Sequence, residues 1–445
     1  MAKDLWLDEI WSITIATGLQ SPAQALTLHH EINQYLNTMW LWAVGVGRAP
    51  PVYRLVSFTA GTLCVAVAGL IGRRRSRAAA VIMMLVFGSS YELVLYSSEA
   101  RGYSTLVFFF LASFFCLERC LTEGARPRWV VGYGVCTLFG ILSHPAFATV
   151  IVAGLAWTTA NEIRRGQPRT EVARLVLRIH AAPLLCFALL YLIDMRFIVP
   201  GGGTPAKSLI DSYGTAFAWT VGTFQWDAAA LISCVAAVYL LDLSLRREAS
   251  TGTTSWVFFA IAIVFPIVPV LVRGSDLVYT RHFLIASVAL LMIAAFTLAS
   301  WWAERKRARC LVLLAAYCAV NGWHIAELAV RGRGQYREAI RYMVDQTPGD
   351  VLTIGADQDF RIGMELRYYL PQELGDKRAR FVSHDAWPPT GPQWLITQRE
   401  NMEAPSPVAD HITDPDGHDY QLMEVFPTAP MSGLHWYVYR NRSLR

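Results

Sequence analysis

The sequence is dominated by a series of long apolar runs. A helix that crosses a bilayer needs roughly 20 mostly apolar residues. Ten runs come close to that length, at 54–72, 79–97, 104–120, 129–144, 145–161, 179–198, 228–245, 256–273, 282–300 and 309–327. A His-Pro pair at 144–145 separates two of them and predicts a tight helical hairpin. The pattern predicts a mainly α polytopic membrane protein.

Composition and charge agree with this class. The chain has 445 residues, of which 54% are hydrophobic and 16% charged, whereas soluble chains average roughly 25% charged residues. The net charge of +5 does not indicate nucleic acid as a partner, because the arginines sit in short clusters between apolar runs. The eight cysteines include no CxxC pair, so neither a zinc site nor a disulfide framework is supported.

The basic residues predict an orientation. Alternate loops carry eighteen Lys and Arg residues on one side of the membrane and five on the other. Cytoplasmic loops are the ones enriched in Lys and Arg, so the poorer side is predicted to lie outside the cytoplasm. Its five cations are Arg101, Arg196, Lys207, Arg273 and Arg281.

The first 53 residues precede every predicted span. With ten spans both chain ends lie outside the cytoplasm, so this segment has to be translocated without a visible signal peptide. Either the segment crosses the membrane unaided or a further helix precedes this start, and we expect the further helix. Trp6, Trp11, Trp40 and Trp42, mixed with carboxylates, are typical of helices that lie along the membrane surface. In that interpretation Asp8 and Glu9 simply face water.

Polar residues gather on the predicted outer side. The loop SSEARGY carries Glu99, Arg101 and Tyr103, and RGSDLVYTRH carries Arg281 and His282. Charged residues near membrane level are costly and are usually functional when they face a cavity. Ordinary snorkelling of arginine and tyrosine at the interface is the alternative. The same side also carries Lys207, His144 and the run HHEINQ, with His30 and Asn33.

The order of these motifs carries a family resemblance. LDE, the HHEINQ patch, RLVSFTAG, YSSEARGYS, SHP and TRHFL follow one another from about residue 5 to about 330. In this order they resemble the GT-C superfamily of membrane glycosyltransferases. The likeness is to the branch of protein O-mannosyltransferases, lipid A aminoarabinose transferases and RgtA/B/C/D-like proteins. The resemblance implies a GT-C-like helical bundle.

The expected donor follows from the predicted side of the membrane. Nucleotide sugars are not available outside the cytoplasm, and the chain has no GxGxxG or P-loop to hold one. A sugar on a polyprenyl phosphate fits better, since its lipid tail can lie between helices. Transfer then needs a carboxylate base, cations that stabilise the departing phosphate and a lid that excludes water.

The resemblance also implies roles for residues. Asp8 matches the carboxylate base, and Glu9 orients it or assists with the acceptor. Arg101 and Arg281 are predicted to clamp the lipid phosphate, with Lys207 and His282 as further candidates, and transfer inverts the anomeric carbon. The supporting candidates are Glu99, Tyr103, His30 and Asn33. Some superfamily members use a divalent metal, but no ligand spacing here indicates one.

The last segment has a different composition. Residues 328–445 contain many charges and prolines, with helices predicted at REAIRYMVDQ and MELRYYL. Strands are predicted at GDVLTIG, ARFVSH, QWLITQ, YQLMEVF and LHWYVYRN. DPDGHDY resembles part of a calcium loop but lacks the later glutamate, which favours a solvated turn. The predicted domains are an outer loop with surface helices (1–53), a transmembrane domain (54–327) and an extracytoplasmic α/β domain (328–445).

Two other classes of function remain open. A transporter or lipid flippase would have the same spans, although no inverted repeat is visible and few ionisable residues lie at mid-span. A non-catalytic membrane assembly protein could keep the fold without the activity. The partners expected for a transferase are membrane lipids, the lipid-linked sugar and a glycan, lipid or protein acceptor. The basic loops indicate a bacterial plasma membrane. A protein of the endoplasmic reticulum membrane would show the same excess of Lys and Arg in its cytoplasmic loops.

Overall fold

The computed structural model describes residues 3–198, 208–223, 239, 254–273, 279–374, 378–400 and 408–444. Its contacts divide the chain into two compact units. We call residues 16–45 and 53–323 the helical unit, and residues 1–15, 46–52 and 324–445 the sheet unit. The predicted domain boundaries at 53 and 327 stay a prediction.

Helices make up most of the described chain. In chain order they are α1 (Leu7–Thr17), α2 (Tyr35–Val44), α3 (Pro50–Tyr53), α4 (Leu55–Arg73), α5 (Arg77–Ser89), α6 (Tyr91–Ser97), α7 (Tyr103–Glu123), α8 (Pro127–Ser143), α9 (Ala148–Arg164), α10 (Arg169–Ile193), α11 (Leu209–Val221), α12 (Ser255–Val264), α13 (Ile267–Arg273), α14 (Leu284–Ala303), α15 (Arg307–Arg331), α16 (Tyr336–Gln346) and α17 (Asp359–Glu373).

The predicted spans largely coincide with these helices. Within the described residues, seven helical segments are long and apolar enough to cross a membrane. An eighth is formed by α5 and α6, which the sequence presents as one straight span but which bend by 62° at Ser90. Ser90 is extended and its Oγ accepts the Leu93 N–H at 3.4 Å, so it starts a new helix. The run 129–144 is α8, of 17 residues, and the run 228–245 lies outside the described residues.

Aromatic rings fill the core of the helical unit. Phe114 stacks on Trp157 with ring centroids 5.2 Å apart, meets Phe258 of α12 edge to face and lies tilted against Phe259. Such ring pairs stabilise a core beyond their buried area. Helix α14 is buried along most of its length, as its nearly all-apolar sequence predicts. The fold class, a mainly α polytopic membrane protein with a small α/β part, is confirmed.

The sheet unit contains one six-stranded mixed sheet in the order β2-β1-β3-β6-β5-β4. Strand β1 pairs in parallel with β2 and β3, and the remaining pairs are antiparallel. All five predicted strands are present, and the sequence analysis missed only the three-residue β4. The strands are β1 (Val351–Ala356), β2 (Arg378–Phe381), β3 (Trp394–Glu400), β4 (His411–Thr413), β5 (Asp419–Phe426) and β6 (Leu434–Asn441).

The beginning of the chain packs within this same unit. The Tyr369 hydroxyl on α17 donates to the Leu5 carbonyl at 2.7 Å. The Arg337 N–H donates to Asp4 Oδ2 at 2.9 Å, and Trp11 meets Phe360 edge to face at 5.5 Å. Leu7, Ile10 and Ile13 of α1 are buried. The apolar face of α1 is therefore covered by protein.

The DPDGHDY run forms a turn between β4 and β5 that should respond to pH. His418 Nδ1 lies 2.8 Å from Asp414 Oδ2, and its Nε2 lies 2.9 Å from the Pro389 carbonyl oxygen. The Pro389 carbonyl and the Asp414 carboxylate raise the pKa of His418, because a protonated ring donates to both. This stabilisation is present below the unfolded pKa of about 6.5 and is lost as pH rises through the folded pKa.

We therefore expect hydrogen exchange at the amides of 414–422, corrected for intrinsic rates, to speed up as pH rises from about 6 to 8.5. His418→Gln should remove that dependence. An identical pH profile in the two proteins would contradict the assignment.

Candidate active site

The two carboxylates of the LDE motif lie on the first turn of α1. Asp8 is half-buried, and its carbonyl accepts the Ser12 hydroxyl at 2.7 Å. Glu9 is completely buried, and its Oε2 accepts the Trp6 N–H at 3.1 Å. This contact caps the helix, as a carboxylate at the third helical position does in a capping box. The interpretation that both carboxylates face water is therefore wrong for Glu9.

The segment 99–102 of the helical unit is held by three side chains. The Asn37 amide donates to the Ala100 carbonyl at 2.8 Å, and the Ser57 hydroxyl donates to the Arg101 carbonyl at 2.7 Å. The Gly102 N–H donates to Gln34 Oε1 at 2.5 Å. Every one of these bonds is buried, and buried hydrogen bonds are costly to leave unmade. The backbone that carries Arg101 is therefore fixed before α7 begins.

Residue 102 has to be glycine because there is no room for a Cβ atom at this position. A Cβ there would lie 2.5 Å from the Ser143 carbonyl oxygen and 3.2 Å from Gln34 Cβ. The Ser143 oxygen belongs to the backbone at the end of α8, so it cannot rotate away. The SEARGY motif thus needs glycine because two backbones approach closely here.

We expect Gly102→Ala to destabilise the protein by about 1–3 kcal/mol, as overpacking typically does, and to displace Arg101. Gly134→Ala is the matched control, because a Cβ at that position of α8 meets no atom within 4 Å. Thermal unfolding of both variants in detergent measures the difference. Equal midpoints would contradict the steric argument.

Cationic and aromatic residues meet around the end of this segment, and we call Arg101, His144, Arg281 and His282 the arginine cluster. Arg101 is buried, with its guanidinium 5.1 Å from the Tyr103 ring centroid. The Tyr103 ring lies 5.4 Å from the His144 ring. The charges of Arg101 and Arg281, and the His282 ring, all act on His144. Residues about 180 positions apart in the sequence are thereby brought together.

A short 3₁₀ turn, Thr280–Phe283, presents the second half of the cluster. The guanidinium of Arg281 lies 4.5 Å from the Tyr279 ring centroid. Tyr279 and His282 also contact through their rings, with centroids 5.5 Å apart. The charges of Arg281 and Glu99 both reach Tyr96, whose ring lies 4.7 Å from Tyr103. Glu99 is itself buried, so a carboxyl group accompanies the two guanidinium groups.

His30 and Asn33 lie in the turn before α2. The Asn33 amide donates to the Ala25 carbonyl at 2.6 Å, and its Oδ1 accepts the Thr38 hydroxyl at 3.0 Å. His30 Nδ1 accepts the Ile32 N–H at 3.2 Å. These bonds are local, so they shape this turn. Their predicted supporting role at the site stays a prediction.

A buried carboxylate fixes the same turn from α10. Asp194 has no exposed surface. Its Oδ2 accepts the Tyr35 hydroxyl at 2.7 Å, and its Oδ1 accepts the His29 N–H at 2.7 Å. His29 Nδ1 also lies 2.8 Å from Oδ1. His29 adopts a positive φ of 54°, an uncommon conformation for a residue other than glycine.

The last two predictions about ligands concern Lys207 and a metal ion. Lys207, a candidate for phosphate binding, lies outside the described residues. Within the ranges that the structure describes, no group of three or more His, Cys, Asp and Glu residues is placed to hold a metal ion.

Sequence reasoning missed the residues that anchor the cluster. Gln34 and Asn37 belong to the run HHEINQYLN, of which the sequence analysis singles out only His30 and Asn33. The useful signal was the i, i+3 spacing of two amides beside a membrane surface, which puts both on one helix face. Ser57, in RLVSFTAG, gave no such signal.

A crevice opens in the helical unit beside the tyrosines. Its walls include Gly61, Phe87, Leu93 and Val107 from four helices, and Tyr96 and Ser104 also line it. Gly61 keeps the crevice narrow, because a Cβ there would lie 2.5 Å from Ser97 Cβ. The lining is mainly apolar and includes Tyr96, whose ring packs against Tyr103. A hydrocarbon chain is chemically suited to such a space.

The architecture, a helical bundle with a small mixed sheet, is shared with a solved structure, so the resemblance is confirmed for the fold alone. The chain is similar to the crystal structure of ArnT from Cupriavidus metallidurans in the apo state. The TM-score is 0.51 at 12% identity, with 98% of this chain and 93% of that chain covered.

A second structure of that ArnT, bound to undecaprenyl phosphate, gives a TM-score of 0.45 at 13% identity, with 98% and 92% covered. No protein-family model and no curated protein matches the sequence.

Proposed function

We propose that this protein is a membrane glycosyltransferase that moves a sugar from a polyprenyl-phosphate donor to an acceptor outside the cytoplasm. The observation that carries the proposal is the arginine cluster, in which Arg101 and Arg281 act on the half-buried His144 beside a largely apolar crevice. A lipid phosphate has an anionic group that suits the arginines and a hydrocarbon chain that suits the apolar crevice. The ArnT-like fold supports the same class.

In this proposal the arginine cluster holds the phosphate. A guanidinium presents several donors in a fixed plane and keeps its charge at any physiological pH, which suits a phosphate that gains charge as it leaves. Arg101 is buried, and its backbone is fixed by Asn37, Ser57 and Gln34. A fixed donor needs little reorganisation during the reaction, which is how preorganised groups lower a barrier. Arg281 and His282 act with it from the turn before α14.

The lipid tail lies in the crevice between α4, α5, α6 and α7. Tyr96 and Ser104 line it together with Phe87, Leu93 and Val107. Each buried CH₂ contributes about 0.8 kcal/mol, so a few isoprene units suffice to anchor the donor. A polyprenyl chain therefore supplies binding energy remote from the reacting carbon, which an enzyme can use for orientation.

The chemical step is an in-line displacement at the anomeric carbon. Asp8 takes the proton from the acceptor hydroxyl or amine, and the acceptor atom forms the new bond to the anomeric carbon. The bond from that carbon to the phosphate oxygen breaks, and polyprenyl phosphate leaves with the electron pair. One displacement inverts the configuration. Glu9 caps the helix that carries Asp8, so its part is to position the base.

A reconstituted assay tests this function. The protein is placed in liposomes with a set of synthetic polyprenyl-phosphate sugars and a membrane extract as the source of acceptor. Release of polyprenyl phosphate is followed by mass spectrometry. Release that requires both the protein and the extract supports the transferase. Movement of the intact lipid-linked sugar across the bilayer, without release, would indicate a flippase instead.

A further inference from the structure

We propose that Asn321 of α15 is a positioning residue for the lipid tail of the donor, because it fixes the break between α5 and α6 that shapes one wall of the crevice. The inference rests on the proposed function, in which this crevice holds a polyprenyl chain. No sequence pattern relates Asn321 to the break, since it lies 230 residues after Tyr91, the first residue of α6.

The break between α5 and α6 creates two additional helix ends inside one span. Helix α5 ends at Ser89 and α6 begins at Tyr91, with a bend of 62° between them. The last carbonyls of one helix and the first N–H groups of the next have no partner within their own helix. Lipid cannot supply such a partner, so a broken span depends on its neighbours for these hydrogen bonds.

Two side chains of α15 supply partners at the break. Asn321 Oδ1 accepts the Tyr91 N–H at 2.9 Å, and the Tyr317 hydroxyl donates to the Val86 carbonyl at 3.2 Å. Asn321 has no exposed surface. Because Tyr317 and Asn321 are four residues apart, they lie on one face of α15. The end of α5 and the start of α6 are therefore held by one face of a single helix.

The orientation of the Asn321 amide is fixed by further contacts. Its Nδ2 donates to the Tyr317 carbonyl at 3.0 Å and reaches the Val221 carbonyl at 3.5 Å. Both of these groups are acceptors, so the amide nitrogen has to face them and the oxygen is left to face the Tyr91 N–H. Helix α11 ends closely against this amide, because a Cβ at Gly222 would lie 2.9 Å from Nδ2.

The crevice is lined from both sides of the break. Phe87 lies on α5 before it, whereas Leu93 and Tyr96 lie on α6 after it. Helix α6 has seven residues and is therefore about 10 Å long. A bend of 62° places its far end about 10 Å from where a straight continuation of α5 would end. The bend thus decides where Leu93 and Tyr96 stand relative to Phe87.

The far end of α6 is held separately from its start. The segment 99–102, which follows it, is fixed by three buried hydrogen bonds from other parts of the helical unit. Loss of the Asn321 amide therefore releases the start of α6 while Arg101 keeps its own support. The expected defect lies in binding of the lipid tail, whereas binding of the phosphate and the chemical step are retained.

The test compares two donors that carry the same sugar phosphate, one on a long polyprenyl chain and the other on a single isoprene unit. Asn321→Leu keeps the approximate volume of the side chain and removes the amide. It is expected to raise KM for the long-chain donor about tenfold, the factor that corresponds to one buried hydrogen bond, with little change in kcat. The short-chain donor makes little use of the crevice, so its kinetics should stay close to those of the wild type.

Hydrogen exchange at the amides of 91–94 provides a readout that needs no turnover. Asn321→Leu should speed this exchange about tenfold. Ala316→Leu is the matched control, because it places the same side chain on an exposed position of α15 and should change neither measurement. Tyr317→Phe removes only the hydroxyl that donates to Val86, and it should change both measurements in the same direction by about threefold.

The outcomes separate the inference from the proposed function. Equal losses with the two donors overturn the inference, as do an unchanged KM for the long-chain donor, unchanged exchange at 91–94 or an equal effect of Ala316→Leu. If Asn321→Leu does not fold, Tyr317→Phe decides by the same measurements, and wild-type values overturn the inference. A wild-type protein that turns over neither donor refutes the proposed function, whereas the exchange data still decide whether α15 holds the break.

Discussion

Asp8→Asn is expected to lower turnover of the lipid-linked donor by about 10²- to 10⁴-fold, the usual contribution of a general base. Asparagine keeps the size of the side chain but cannot accept the acceptor's proton. Because Asp8 is only half-buried, the change should leave folding and lipid binding intact. The measurement is the rate of polyprenyl phosphate release, together with thermal unfolding and the amount of co-purified lipid.

Glu338→Gln is the matched control for this experiment. It removes one negative charge from an exposed position of α16 in the same unit and should keep wild-type turnover. A transporter or an assembly protein would tolerate Asp8→Asn as well as Glu338→Gln. Wild-type release by Asp8→Asn would therefore refute Asp8 as the base, whereas loss in both variants would indicate a general effect of charge.

Arg101→Ala is expected to deplete the bound donor. A hydrogen bond to a charged group contributes about 1.5–3 kcal/mol, so the loss of one guanidinium should weaken binding roughly 10- to 150-fold. Mass spectrometry of lipids that co-purify with the protein measures this. We expect a polyprenyl phosphate, or its glycosylated form, with the wild type and much less with Arg101→Ala, while phospholipids stay equal.

Arg196→Ala provides the control. Arg196 is also an arginine beside an aromatic ring, 4.4 Å from the Phe197 centroid, but it is exposed. Its replacement should leave the polyprenyl lipid in place. If neither the wild type nor Arg196→Ala carries such a lipid while phospholipids are retained, the proposed donor is wrong. If Arg101→Ala retains it fully, the phosphate is held elsewhere.

Contacts within one motif could be predicted from the sequence, whereas contacts between distant loops could not. Glu99, Arg101 and Tyr103 stand in one short motif at the start of a span, so their shared neighbourhood was predictable. That Arg281 acts on the same histidine as Arg101 was not, because no local pattern relates two loops about 180 residues apart. The LDE motif predicts that Glu9 orients Asp8 or assists with the acceptor, whereas its burial as a helix cap depends on packing that the sequence does not display.

Composition and periodicity by themselves determined the class of fold. The length of an apolar run decides whether a helix can cross a membrane. The alternation of apolar and polar residues indicates whether a short segment forms a strand. Both are local properties, so the spans and five of the strands could be predicted residue by residue. The short β4 was not predicted because three residues are too few to show an alternating pattern.

Only the tertiary structure decided what each polar residue does. Gln34, Asn37 and Ser57 hold the Arg101 segment through bonds that span 44 to 68 residues of sequence. The Tyr369 hydroxyl of α17 donates to the Leu5 carbonyl, 364 residues earlier in the chain. Such contacts depend on how elements pack, and a buried polar group takes whichever partner the packing brings within reach. The sequence therefore determined which segments span the membrane, and the packing decided which side chains work together.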